Sequence, residues 1–202
     1  MGICNNICPH FYIFMKFYDM NAINSIRNLI LKNGHMTYGE TMTVLSHSVQ
    51  SGLIATRKNF DDHLVVAAFL HDIGHMLPIA IDKDMNGYGS IDHEASGADY
   101  LQKSGFAEEV TMPIRNHVLS KRYLCTVNEN YYATLSDASK KTMEYQGGLL
   151  DNDSVVAFEN QLYFESSLEL RYIDDEAKEE DFVVTEEQID EFLRLAEKVL
   201  NN

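Results

Sequence analysis

At 202 residues, 45% of them apolar and 23% charged, the chain is long enough for one domain with a substantial core. Its formal net charge of −15 excludes a general nucleic-acid binder, which needs a basic face, but not a small anionic substrate, because a few buried Lys or Arg side chains reverse the sign locally. No apolar run approaches the roughly 20 residues of a membrane-spanning helix. Cys4, Cys8 and Cys125 are too few for a disulfide framework, so a reducing cytoplasm is the expected compartment.

The opening MGICNNICPHFYIFMKFYDM has a broken apolar stretch and no basic flank, unlike a signal peptide. Residues 1–20 are read as an N-terminal extension, and 21–202 as one domain. Helical periodicity then dominates. In NAINSIRNLILKNG, Ile23, Ile26, Leu29 and Ile30 share a face, and Gly34 ends the helix. TMTVLSHSVQSGLIATRKN repeats the pattern with Val44, Leu45, Val49 and Leu53. DDHLVVAAFLHDIGH is apolar nearly all round, which predicts a buried central helix capped by Asp61 or Asp62. DHEASGADYLQKSG is a helix closed by Gly105, and AEEVTMPIRNHVLSKRYL another, with Pro113 tolerated near its first turn. SDASKKTMEYQ, SVVAFENQ and YFESSLELRYIDDEAK follow, with loops expected at 78–91 and 146–153. The last helix, TEEQIDEFLRLAEKVLNN, carries an apolar stripe that includes Ile189, Phe192, Leu193 and Ala196. The fold class is all-α, a single helical bundle.

His47, His71, His93 and His117 fall on four successive predicted helices, near their centres or inner faces, and Asp72 follows His71 directly. Helices joined by short loops pack as neighbours, so four imidazoles can converge on one point. Asp72 ends an apolar run, and a buried carboxylate there costs several kcal/mol unless it is paired or bound to a cation. Imidazole with carboxylate suits iron, zinc, manganese or cobalt, and the absence of thiolates rules out a cysteine-type structural zinc site. For a further carboxylate the residues alone leave Asp137, Asp151, Asp153, Asp174 and Asp175 open. Asp137 is explained by helix capping, Asp151 and Asp153 by a loop, and Asp174 lies three residues after Arg171, on the same helical face.

The ordered pattern of His47, His71-Asp72, His93 and His117 resembles the HD-domain superfamily. That resemblance implies an all-helical core and, given the two extra histidines, a dinuclear centre with the HD aspartate bridging. Across residues 35–180 a closer resemblance is carried by YGETMTVLSHSVQSG, LVVAAFLHDIGHML, DHEASGADYL, IRNHVLSKRYL, TLSDASKKTMEYQGG and LRYIDDEAK. These stretches resemble the HD-domain mixed-valence di-iron oxygenases that cleave organophosphonates, distant relatives of myo-inositol oxygenase.

The resemblance implies two iron ions, Fe2+/Fe3+, on His47, His71, Asp72, His93, His117 and Asp174. It implies phosphonate contacts at His75, Lys121, Ser139 and Arg171, and a covering loop with Glu40 and Tyr38. Asp72, His75, Lys121, Glu40 and Tyr38 would then form the catalytic set. The implied reaction uses O2 to cleave the C–P bond of a 1-hydroxyalkylphosphonate, such as 2-amino-1-hydroxyethylphosphonate or an N-methylated analogue, releasing phosphate. The spacing agrees in part: Lys121 is four residues beyond His117 and stands above it on one helical face. Where the resemblance leads one to expect a Glu before the first histidine, Ser46 stands, so no carboxylate is expected to orient His47. The rival reading is a metal-dependent HD phosphohydrolase using the same six ligands. Neither nucleic acid nor membrane is an expected partner, and monomer and homodimer both remain open.

Overall fold

The computed structural model describes residues 22–37 and 41–202, which contain ten α-helices and, besides one isolated bridge between Asp84 and Ser90, no β-pairing. The expected extension at 1–20, and Tyr38 and Glu40 of the expected covering loop, lie outside the described residues. The first helix, α1, spans 22–33, and α2 runs Val44–Arg57 behind a Thr43 cap. Of the two candidate caps for α3 (Asp62–Leu70), Asp61 is the one used: its side chain accepts the Leu64 N–H. Then follow α4 (His93–Lys103) and α5 (Glu108–Val127). After these come α6 (Tyr131–Thr134), α7 (Asp137–Tyr145), α8 (Asn152–Glu159), α9 (Phe164–Glu176) and α10 (Glu186–Leu200). No helix among the described residues is long and apolar enough to cross a membrane.

The sequence of α3 determines the centre of the fold. Leu64 to Leu70 are all buried, and α3 packs against α2, α5, α9 and α10. Ile26, Val49, Ile114, Leu170, Ile173 and Phe192 join it in one apolar core, where Phe69 stacks on Phe192. The amphipathic α10 closes this core behind a Thr185–Gln188 capping box. A second, smaller core holds Tyr123, Tyr131, Leu135, Met143, Leu150 and Phe158, with Phe164 packed against it. Tyr123, Phe158 and Phe164 meet there edge to face. This smaller core fastens α6, α7 and α8 over the later half of α5 and the start of α9.

Several elements differ from expectation. The central helix does not run through to His75. It stops at Leu70, His71 is its C-cap, and Ile73–Met76 form a tighter 3-10 turn. His93 opens its helix instead of sitting mid-helix. Pro113 lies beyond the first turn, inside α5. Asp137 is not a cap: Ser136 accepts the Ser139 N–H, and Asp137 is merely in the first turn. Asp151, expected in a loop, caps α8, and Asp153 sits in its first turn. The 78–91 segment is a 3-10 turn, Pro78–Lys83, followed by a tight reversal in which Met85 N–H donates to the Gly89 carbonyl at 2.7 Å.

Candidate metal centre

The break after α3 turns His71 and Asp72 to face α2, α4, α5 and α9 together. Four imidazoles converge there as two pairs. His47 Nε2 lies 3.2 Å from His71 Nε2, and His93 Nε2 lies 3.0 Å from His117 Nε2. The other nitrogen of each ring faces a main-chain carbonyl: Ala177 for His47 (2.9 Å), Ala68 for His71 (2.8 Å), Ser90 for His93 (2.9 Å) and Ile114 for His117 (2.7 Å). A carbonyl only accepts, so each Nδ1 carries a proton, and in the neutral tautomer that this selects, an Nε2 lone pair faces inward toward the cluster. Two lone pairs at this distance do not bond to each other. They suit a shared ion, because two imidazoles at about 2.1 Å from one metal and near a right angle stand about 3 Å apart.

Asp72 lies between the pairs. Its Oδ2 is 3.8 Å from His47 Nε2 and 3.5 Å from His71 Nε2. Its Oδ1 is 3.5 Å from His93 Nε2 and 3.8 Å from His117 Nε2. Asp174 Oδ1 faces the first pair only, 3.1 Å from His47 and 4.0 Å from His71. Of the five aspartates left open by the residues alone, Asp174 is the one brought to this cluster.

By distance alone Asp72, His75 and His93 form an equally close group. The hydrogen bonds separate His75 from the others. Its ring stacks on His93 at 3.9 Å between centroids, and its Nδ1 accepts the Ser90 N–H at 3.0 Å. The neutral ring therefore carries its proton on Nε2, the nitrogen 4.0 Å from Asp72 Oδ1. His75 presents a donor where the other four present lone pairs.

Electrostatics favour a cation. Burial alone would raise the Asp72 carboxyl, but His71, His75, His93 and His47 hold it well below the usual carboxylate range. Burial also opposes ionisation of Asp174, which Arg171 and then His47 and His71 hold well below that range. Burial pushes His71, His75 and His117 down, assisted by neighbouring histidines. Neutral imidazoles beside ionised carboxylates are the protonation states that metal ligation requires.

Beside the centre lies a cleft of about 50 Å³ that reaches Asp72, His75, His117, Lys121, Ser139 and Arg171. Lys121 is buried and donates to Thr142 Oγ1 at 2.9 Å. Burial, then the nearby Arg171, bring its ammonium down to about 7. Arg171 donates to Asp174 Oδ2 at 2.7 Å and grips Asp175 through Nε and Nη2. Thr142, Gln146, Tyr88 and Lys178 also line the cleft and were not singled out from the sequence. Ser139, Thr142 and Gln146 follow an i, i+3, i+7 spacing along α7 and its C-cap, a signal open to sequence reading. Tyr88 comes from a loop that carries no such signal.

The HD domain family matches residues 44–148. The chain belongs to the HD-domain family. Among its curated relatives, a hydroxymethylphosphonate dioxygenase of Gimesia maris is 37% identical over 158 residues, 77% of this chain and 78% of that protein. A [1-hydroxy-2-(trimethylamino)ethyl]phosphonate dioxygenase (glycine-betaine-forming) of Leisingera caerulea is 32% identical over 166 residues, 80% of this chain and 82% of that protein. An uncharacterized protein of Acanthamoeba polyphaga mimivirus is 37% identical over 158 residues, 77% of this chain and 72% of that protein. This HD-domain chain is thus an enzyme of the oxygenase type its relatives represent, and its His/Asp cluster fits a metal cofactor.

Proposed function

We propose that this HD-domain enzyme uses two iron ions and O2 to cleave the C–P bond of a 1-hydroxyalkylphosphonate. The observation that carries this reading is the placement of Asp72, each of whose oxygens faces a different histidine pair. His47, His71 and Asp174 would hold one iron, His93 and His117 the other, with Asp72 shared. When bound, a Fe2+/Fe3+ pair supplies the binding and activation of O2 and the oxidation of the carbinol carbon. Both relatives of known name act, by their names, on phosphonates with a hydroxyl on the carbon bonded to phosphorus. We extend that class here, with 2-amino-1-hydroxyethylphosphonate or an N-methylated analogue among the candidates.

The side chains supply position and charge. Lys121 and Arg171 neutralise the phosphonate, Ser139 offers a hydroxyl, and the His75 Nε2–H donates a further hydrogen bond. Held this way, the carbinol carbon is fixed against the dinuclear centre, which contributes through proximity. Of the two oxygen atoms of O2, one ends in the carboxylic acid product and the other in phosphate. Iron-loaded enzyme incubated with hydroxymethylphosphonate should release phosphate in air and none under anaerobic conditions. Release without O2 overturns this reading in favour of a phosphohydrolase, which would use the same ligands and the same anion cleft.

A further inference from the structure

Arg171 is buried, and its bonds are unequally shared between two consecutive aspartates. Nη1 donates to Asp174, whose other oxygen faces His47. Nη2 and Nε both go to Asp175, and Nε also donates to the Tyr131 hydroxyl at 2.9 Å. That hydroxyl donates in turn to Asp175 Oδ2, closing a ring of three side chains. Burial, with Asp175 beside it, holds the Tyr131 phenol well above its usual range, so it keeps the proton it donates. A guanidinium has five N–H groups. Three are used here, which leaves one on each Nη of a residue that lines the cleft.

Without Asp175 and Tyr131, nothing in this network would stop Arg171 from pairing with Asp174 through both Nη groups. Such a pair would turn the guanidinium away from the orientation in which it now lines the cleft and compete with the metal for Asp174. Tyr131 is not a neighbour of Arg171 in sequence. It stands on the short α6, with its ring in the smaller core. Its phenol therefore links that core to Arg171 on the helix that carries Asp174.

We propose that Tyr131 and Asp175 are positioning residues, which orient Arg171 so that its remaining Nη protons serve the substrate anion while Asp174 stays available to the metal. This rests on the phosphonate reading given above. The test titrates methylphosphonate, which lacks the reactive hydroxyl, into iron-loaded protein under anaerobic conditions, and measures KM and kcat for hydroxymethylphosphonate in parallel. Tyr131→Phe removes both bonds of the phenol and should weaken methylphosphonate binding about tenfold and lower the iron content per chain, with KM rising in step and kcat per bound iron within about twofold. Tyr123→Phe is the control, because it removes a phenol bond of 2.9 Å to Glu159 in the same small core without touching Arg171. It should leave Kd and KM unchanged. If Tyr131→Phe fails to fold, Asp175→Asn tests the same brace with the side-chain shape kept, and the same weakening is expected. A folded Tyr131→Phe or Asp175→Asn with wild-type Kd and KM overturns the brace alone. Wild-type protein that binds no methylphosphonate overturns the phosphonate reading itself.

Discussion

Gly74 packs its Cα against the backbone of His93. A Cβ built on Gly74 would lie 1.9 Å from the His93 carbonyl oxygen and 2.7 Å from its carbonyl carbon. The two residues belong to the 3-10 turn after α3 and to the start of α4, so this contact sets how near the His93 ring comes to Asp72. The atoms in the way are main chain and cannot swing aside. Gly74→Ala is therefore expected to push α4 away, destabilise the protein by about 1–3 kcal/mol and lower its metal content. Thermal melting together with metal analysis checks both, and an unchanged metal content would show that His93 is placed by other contacts.

Asp174 faces only the His47–His71 pair, whereas Asp72 faces both pairs. Asp174→Ala should accordingly cost one metal ion per chain and Asp72→Ala both, each with loss of activity. The measurement is metal stoichiometry after anaerobic loading with iron. Full stoichiometry in Asp174→Ala would move the last ligand elsewhere.

Chelation should destabilise the fold. Without a cation, each histidine pair turns two lone pairs toward one another and two carboxylates are buried among them. Binding to the folded state alone stabilises by about 4 kcal/mol at a thousandfold excess over Kd. The melting temperature should thus rise with added Fe2+ in a concentration-dependent way. A melting temperature indifferent to metal would mean that the cluster is preorganised and stable without it.

Lys121 gives two pH dependences of opposite sign. Its ammonium is brought down from 10.5 to about 7 in the folded protein, by burial first and then by Arg171. Between those values only the unfolded chain holds the proton, so this group makes stability rise with pH across that window, and its cost is fully present below about 7. In the role proposed for Lys121 the phosphonate is bound by the ammonium, so KM should rise as pH climbs past about 7. Lys121→Arg, which keeps its charge, should lose that limb. A KM for the wild type that is flat from pH 6 to 9 would assign the anion to other donors.

Much of this was legible because the relevant signals are periodic or local. The apolar run from Leu64 to Leu70 marks the central helix with His71 at its end, and His47, His93 and His117 fall one to a helix on α2, α4 and α5. The helix break at His71 was not legible, because the run continues through Ile73 and Met76 with no proline to stop it. It is settled by packing, with Gly74 and Gly97 letting the turn and α4 approach. The phosphonate role proposed for Arg171 came through resemblance and spacing. Its grip by Asp175 and Tyr131 depends on where the smaller core places α6, which no local pattern encodes.

All four inward-facing imidazoles are aligned by main-chain carbonyls, and none of those bonds depends on a neighbouring side chain's identity. Ser46, standing where a Glu was expected, costs His47 nothing, because the Ala177 carbonyl at the end of α9 holds its Nδ1. Substitutions of the side chains beside these imidazoles can therefore leave the proton on each Nδ1. An inventory of substitutions around the site would overstate how far two such proteins have diverged in chemistry.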